Sequence, residues 1–156
     1  YQGTGSGGVS KDPRIVLLSS TPWDEVNTYD RLCFPAGRSA FLKCWINQPQ
    51  STALGILNNG KLAGYGVIRA ARSGYKIGPL FADNPELAEA VFNGLAACVP
   101  RDAAVYLDTP ETNPAAVALA ERHGMTIVFE TARMYAGRAP DLPMRQLFGV
   151  TTFELG

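Results

Sequence analysis

Residues 74–137 read GYKIGPLFADNPELAEAVFNGLAACVPRDAAVYLDTPETNPAAVALAERHGMTIVFETARMYAG, and this stretch decides the fold. Short runs rich in β-branched and aromatic residues alternate in it with longer segments whose apolar residues recur every three or four positions. Each longer segment begins at a proline, Pro85 or Pro114; Asn84 or Asp83 suits the N-cap of the first, and Asn113 that of the second. We therefore predict the order strand, helix, strand, helix, strand. The three strands are predicted over Tyr75–Phe81, Ala103–Leu107 and Met125–Tyr135.

The same kinds of signal predict further elements on both sides of this stretch. Asn59-Gly60 between two apolar runs is a strong indication of a β-hairpin, because these residues tolerate the positive φ angles of its tight turn. Upstream we predict a strand over Ile15–Leu18, helices over Pro22–Cys33 and Arg38–Asn47, and hairpin strands over Thr52–Leu57 and Leu62–Ala71. Downstream we predict a last strand over Val150–Leu155.

The composition excludes several classes of function. The chain of 156 residues has 14 Lys and Arg against 14 Asp and Glu, so no net positive field favours nucleic acid or an anionic membrane. Cys33, Cys44 and Cys98 are odd in number and lack paired spacing, which indicates neither a disulfide framework nor a metal site. No apolar run approaches the roughly 20 residues that span a bilayer. We expect a cytoplasmic protein with no metal, no nucleic-acid partner and no membrane partner.

The first residues differ in composition from the rest of the chain. Gly3–Gly8 has the glycine and serine content of a flexible linker. We predict that residues 1–13 are a linker or the remnant of a removed tag. Residues 14–156 are then one domain, a length that suffices for a core of its own.

The predicted order of elements over residues 14–156 resembles the GNAT superfamily of acetyl-CoA-dependent N-acyltransferases. The segment from Asn113-Pro114-Ala115-Ala116 to Gly124-Met125 is similar to that family's Asn-x-x-Ala…Gly-Phe signature on its last helix. Three further segments are similar to the C-terminal half of tandem GNAT proteins of the YitH type: Tyr75–Asp83, Leu107–Asn113 and Phe148–Gly156. The resemblance implies an α/β (α+β) fold, with a mixed, mostly antiparallel sheet of about seven strands flanked by helices.

The resemblance also implies where acetyl-CoA binds in such a fold. The backbone of Leu80 and Phe81 corresponds to the strand that pairs with the pantetheine arm. The helix start at Asn84 corresponds to the place that receives the pyrophosphate through free amides and the helix dipole. Asn113 is either a cofactor contact or an N-cap, and we favour the cap.

Two features of the sequence depart from the family's pattern. The family's glycine-rich phosphate loop is replaced by residues 81–86, where Asp83 and Glu86 place negative charge beside the expected phosphates. Ala120 stands where many members carry the tyrosine that protonates the leaving thiolate. We therefore predict a C-terminal lobe with a degenerate pyrophosphate loop, whose acetyl-CoA is bound by an N-terminal GNAT lobe of the same polypeptide.

The candidate site residues follow the strand ends. Asp108 and Glu111 lie beyond a central strand, where open α/β sheets place ligands, so they are candidate catalytic carboxylates. Alternatively, Asp108 stabilises a turn and Glu111 favours the positive end of the next helix. Arg133 and Tyr135 are candidates for substrate binding, with an ordinary surface position for Arg133 as the alternative. His123, the sole histidine, we interpret as a cation at a helix C-terminus.

Three hypotheses for function remain open at this point. In the leading one, the parent protein transfers an acetyl group to a small-molecule amine, and this lobe helps to form the acceptor cleft. In the second, this half is itself an active acetyltransferase that binds phosphate through the amides of Asn84–Leu87. In the third, it is a non-catalytic ligand-binding or scaffold domain. The sequence does not specify the acceptor.

Overall fold

The computed structural model describes residues 1–154 of the chain. These residues contain four α-helices, and no helix among them has the length and apolar character needed to cross a membrane. The helices are α1 (Trp23–Cys33), α2 (Ser39–Trp45), α3 (Pro85–Ala97) and α4 (Pro114–Arg122). The strands are β1 (Gln2–Thr4), β2 (Ile15–Leu17), β3 (Ser51–Asn58), β4 (Lys61–Ala70), β5 (Tyr75–Ala82), β6 (Ala104–Leu107) and β7 (Leu147–Gly149).

All of these strands belong to one mixed sheet. Its order is β1-β6-β5-β4-β3-β2, and β7 lies beside β5. Only β5 and β6 run parallel, and they pair only over Tyr75–Ile77 and Val105–Leu107 before they separate. Beyond that point β7 pairs antiparallel with the second half of β5. The structure confirms a mostly antiparallel, seven-stranded sheet that splays between β5 and β6.

Helices cover both faces of this sheet. Neighbouring residues of a strand point to opposite faces, so the sheet carries two separate cores. On one face α3 and α4 pack against side chains such as Ile68 and Ile77. On the other face α1 and α2 pack against Tyr65 and Val67 of β4 and Phe81 of β5. Polar residues of β4 and β5 that share this second face are therefore candidates for a site.

Three of the predicted local signals are confirmed in detail. At the hairpin turn Asn59 has a φ of 51° and Gly60 a φ of 76°, the left-handed values that these residues tolerate. Asn84 caps α3, since its side chain accepts a hydrogen bond from the Leu87 amide, and Asn113 caps α4 in the same way from the Ala115 amide. By contrast, α1 starts after Pro22 without a side-chain cap.

The predicted strand over Met125–Tyr135 is wrong. Only Thr126 makes a β-bridge, to Gln2, and the apolar residues that follow it are exposed. The N-terminal strand β1 occupies the edge of β6, and at the outer edge of β1 only Thr126 pairs. The predicted strand is therefore reduced to a single bridge.

The predicted last strand is displaced along the chain. The observed strand β7 is Leu147–Gly149, and residues 150–154 form turns and bends. Val150 leaves β5 because its amide donates to the Asp108 carbonyl oxygen instead, at 2.9 Å. The end of the predicted strand, Leu155, lies outside the described residues.

The linker predicted for the N-terminus is in part structured. Gln2–Thr4 pairs with β6 as the edge strand of the sheet. Gly5 continues this contact, since its amide donates to the Ala103 carbonyl oxygen and its carbonyl oxygen accepts from Asp102. A glycine and serine composition indicates flexibility only when no neighbouring edge supplies hydrogen bonds, and here β6 supplies them.

Candidate functional site

The candidate site lies where β5 and β6 separate. The last paired residues are Ile77 and Leu107, and beyond them the two backbones diverge. Asp108 follows directly on β6, and Gly78 follows Ile77 on β5. In open sheets of this kind, ligands bind at the carboxyl ends of such diverging strands.

The gap between the two strands is filled by the chain itself. β7 pairs Gly149 with Leu80 and Leu147 with Phe81, while β4 pairs with the other edge of the same residues. The backbone of Leu80 and Phe81 therefore has a protein strand on both sides. These are the residues predicted to pair with pantetheine.

Close packing shows that β7 and the residues after it fit this gap tightly. A Cβ atom on Gly78 would lie 2.5 Å from the Thr151 carbonyl oxygen and 2.7 Å from that of Val150. Asn113 adds a second attachment, because its side-chain amide donates to the Leu147 carbonyl oxygen at 2.9 Å. Asn113 is almost fully buried, and both its oxygen and its nitrogen have protein partners. It therefore caps α4 and at the same time holds β7 against the domain.

The start of α3 offers few free groups to a phosphate. Pro85 has no amide hydrogen, and the Leu87 amide donates to Asn84 at 3.0 Å. Asp83 accepts a hydrogen bond from the Tyr29 hydroxyl at 2.8 Å, so its charge stays at this turn. Glu86 forms an exposed ion pair with Arg14 at 3.0 Å. The turn before α3 therefore offers few free amides and carries negative side chains.

The two predicted catalytic carboxylates lie in different surroundings. Asp108 is buried, with 8% of its side chain exposed, and its Oδ2 lies 2.5 Å from Lys76 Nζ. Glu111 is exposed in the turn before α4. Asp108 therefore neutralises a lysine of β5, which neither of the interpretations made from the sequence included. It is positioned to orient groups beside the splay.

A buried polar network, which sequence reasoning missed, lies on the same face of the sheet. Asp30 of α1 receives two hydrogen bonds from Arg38, at 2.6 and 2.9 Å, and a third from the Tyr65 hydroxyl at 2.5 Å. Arg38 also donates to Thr151 Oγ1 at 2.9 Å, and thus holds the segment that follows β7. Burial, and then the Asp30 charge, raise the pKa of Tyr65 well above its usual value. Tyr65 therefore remains a hydrogen-bond donor and does not act as a base.

The neighbours of this network are equally unsuited to proton transfer. Burial, followed by the hydrogen bond to Asp83, raises the pKa of Tyr29. Burial, followed by the charges of Asp30 and Asp83, raises the pKa of Cys33 to about 12. A thiol in such a setting is not a nucleophile near neutral pH.

The remaining predicted residues lie away from the splay or inside the core. Arg133 and Tyr135 lie in the unpaired segment after Thr126, where the guanidinium carbon of Arg133 is 5.7 Å from the Tyr135 ring centre. Ala120 is fully buried in the core under α4, so this position does not face a cleft. His123 pairs with Glu89 and contacts Phe92, consistent with the structural role predicted for it.

Two open cavities are present elsewhere on the surface. One, of about 410 Å³, lies where the start of β3, the end of β4 and the residues after α3 meet, near Gln50 and Tyr75. The other, of about 460 Å³, lies between the N-terminal segment and α3. Neither is lined by Asp108, Glu111 or the residues of the buried network.

The comparison with protein families agrees with this architecture. Residues 26–149 match the family described as "Acetyltransferase (GNAT) domain", which is more than half of the chain. The chain belongs to the GNAT family. The resemblance drawn from the segment around Asn113 is thus confirmed, while the tandem YitH-type arrangement stays a prediction.

One curated relative of this GNAT domain is the holothin acyltransferase of Pseudoalteromonas sp. (strain SANK 73390). It is 28% identical over 133 residues, which cover 85% of this chain and 45% of that protein. The GNAT domain therefore spans about half the length of the curated relative it matches.

Solved structures show the same fold. A putative acetyltransferase from Pyrococcus horikoshii superposes with a TM-score of 0.77 and 22% identity, over 99% of this chain and 50% of that one. A Bacillus halodurans protein, BH1408, gives a TM-score of 0.54 with 18% identity, over 65% of this chain and 75% of that one. At these identities the likeness concerns the fold alone.

Proposed function

We propose that the parent protein is an acetyl-CoA-dependent N-acetyltransferase and that this chain is the GNAT lobe that helps to form its acceptor cleft. The family assignment and the holothin acyltransferase relative support acyl transfer in general. The proposal adds the donor, acetyl-CoA, the amine nature of the acceptor, and an N-terminal GNAT lobe in the same polypeptide as the place where the donor binds. The relative and the Pyrococcus protein are each about twice as long, which leaves room for such a lobe.

The observation that carries this proposal is the filled splay between β5 and β6. A pantetheine arm in this gap needs free backbone groups on β5, and those of Leu80 and Phe81 face β7. Its pyrophosphate needs free amides at the start of α3, and Asn84, Pro85 and Asp83 leave few of them without a partner or a repelling charge. The residues present here do not fit acetyl-CoA, so no catalytic step is assigned to the splay of this lobe.

The contribution of the lobe is therefore positioning. Acyl transfer to an amine is accelerated when the amine is held beside the thioester in a fixed orientation. The Lys76 and Asp108 pair at the splay, whose side chains are 20% and 8% exposed, lies on a rigid sheet. Sites on strands of this kind hold a substrate more precisely than sites on loops.

Kinetics of the full-length protein test this role. We expect Asp108→Asn to raise the KM for the amine, by roughly tenfold for one weakened charged contact, while the Kd for acetyl-CoA stays unchanged. Asp141→Asn is the matched control, because Asp141 is exposed and forms no ion pair within residues 1–154. Unchanged kinetics in a folded Asp108→Asn protein would favour the alternative, a non-catalytic ligand-binding or scaffold domain.

A further inference from the structure

We propose that Arg69, held above the Trp45 ring, is an anion-binding position of the acceptor cleft, and that the amine acceptor carries a carboxylate. This inference rests on the proposed function, since it names the class of acceptor. The predicted site residues include neither Arg69 nor Trp45.

Two cations lie directly opposite each other at this place. Arg69 of β4 and Lys76 of β5 are cross-strand partners, so their side chains leave the sheet on the same face. Like charges in directly opposite positions destabilise a sheet pair. Such a pair persists at a cost in stability unless negative charge balances it.

The available negative charge balances only one of the two cations. Asp108 lies 2.5 Å from Lys76 Nζ and neutralises it. Arg69 has no carboxylate within ion-pairing distance among residues 1–154, and its Nε is a buried donor without a partner there. Leaving the Arg69 Nε–H donor buried and unpaired is unfavourable, so this N–H group is available to an acceptor on a ligand.

Trp45 holds the guanidinium in a defined position. The indole N–H donates to the Gly78 carbonyl oxygen at 2.9 Å, which fixes the ring against β5. The guanidinium carbon of Arg69 lies 5.1 Å from the centre of this ring, within the range of a cation–π contact. An arginine stacked in this way keeps its planar fork of donors available for a ligand.

The position is continuous with the proposed cleft. Lys76 pairs in register with Tyr106 of β6, one residue before the strands separate. The Phe153 ring lies 4.8 Å from Lys76 Nζ and covers this side of the sheet, while remaining 41% exposed. An anion on Arg69 would therefore lie beside the Lys76 and Asp108 pair at the mouth of the splay.

The charge at this place favours a carboxylate over a phosphate. One guanidinium remains without a balancing charge, which matches a ligand group of charge minus one, and the arginine fork suits a carboxylate in a bidentate pair. Within residues 1–154 the Glu154 carboxylate lies near both cations but forms an ion pair with neither, so a ligand carboxylate would take a position that Glu154 does not fill. The pKa of Glu154 is lowered first by its hydrogen bonds to Thr152 and to its own backbone, and then by the charges of Lys76 and Arg69.

A binding experiment without any acyl donor tests the inference. The chain is labelled with nitrogen-15 and titrated with phenylalanine and, separately, with phenylalaninamide, which share the amine and the ring and differ in the carboxylate. We expect phenylalanine to shift the Arg69 Nε–H resonance and to bind at least about tenfold more tightly than the amide, as for one charge-assisted contact. Arg69→Gln should abolish this preference.

Arg72→Gln is the matched control, because Arg72 is an exposed arginine three residues away. It should leave the preference intact. Equal affinity for the acid and the amide, no shift at Arg69, or an equal loss in Arg72→Gln would each overturn the inference. Failure of the proposed function is distinguishable, because that would appear in the Asp108→Asn kinetics of the full-length protein and not in this titration.

Discussion

Asp30 and Arg38 show how much a single buried pair contributes to the arrangement of this domain. Their side chains are only 3% and 7% exposed, and together with Tyr65 and Thr151 they connect α1, β4 and the segment after β7. Removing one partner of a buried ion pair leaves the other charge without compensation, which is far more costly than losing a surface pair. The residues after β7 depend on this pair for their position.

This geometry makes a prediction about stability. Arg38→Met should lower the free energy of unfolding by about 3–5 kcal/mol, because Asp30 then remains charged and buried. Arg31→Met, at an exposed position of α1, should change it by less than about 0.5 kcal/mol. Urea denaturation measures both values.

A double substitution separates charge from packing. Asp30→Asn combined with Arg38→Met should recover part of the lost stability, since no unpaired charge remains. If Arg38→Met alone costs no more than Arg31→Met, the network does not stabilise the fold as described.

For single residues, the sequence predicts helix caps well and buried hydrogen-bond networks poorly. Asn84 and Asn113 each precede a proline and a helical pattern, so the signal for their role is local. Asp30, Arg38 and Tyr65 are distant in sequence, and nothing in their spacing indicates contact. An aspartate on the apolar face of α1, beside Val26 and Cys33, is the one signal that could have revealed the network.

Strand β7 is the element that fills the gap between β5 and β6. It is three residues long, and its neighbours Gly78 and Val150 hold it against both β5 and β6. A segment of three residues is too short to show alternation of apolar and polar residues, so the sequence predicts the last strand C-terminal to its observed position. The strand predicted over Met125–Tyr135 fails for a different reason, because β1 occupies the edge of β6 and only Thr126 pairs with the outer edge of β1.

The fit of this element can be tested by adding one methyl group. We expect Gly78→Ala to destabilise the domain by about 1–3 kcal/mol, because its Cβ would meet backbone oxygens of Val150 and Thr151 that cannot rotate away. Amide exchange at Val150, whose N–H donates to Asp108, should become faster at the same time. Urea denaturation and hydrogen exchange give the two readings.

Gly37→Ala is the control for this substitution, since no atom lies within 4 Å of a Cβ placed there. It should change stability by no more than about 0.5 kcal/mol. Equal effects of the two substitutions would show that the gap has room to spare and that β7 is not tightly seated.

The architecture of the whole molecule was more predictable than its site. Proline-capped helices alternating with short apolar strands specify a mixed sheet with helices on both faces, and the hairpin fixes the register of β3 and β4. The total of seven strands agrees with the prediction, although β1 and β7 replace two predicted strands. The site depends on side chains brought together from β4, β5, β6 and α2, and such contacts follow from the assembled fold.

For the whole molecule, we propose that β7 closes the splay of this GNAT lobe and that acetyl-CoA binds to another lobe of the parent protein. Isothermal titration of the 156-residue chain with acetyl-CoA tests this proposal. We expect no saturable heat of binding, because β7 occupies the backbone of Leu80 and Phe81 and the start of α3 offers few amides. Saturable binding of one acetyl-CoA per chain with micromolar affinity would contradict it.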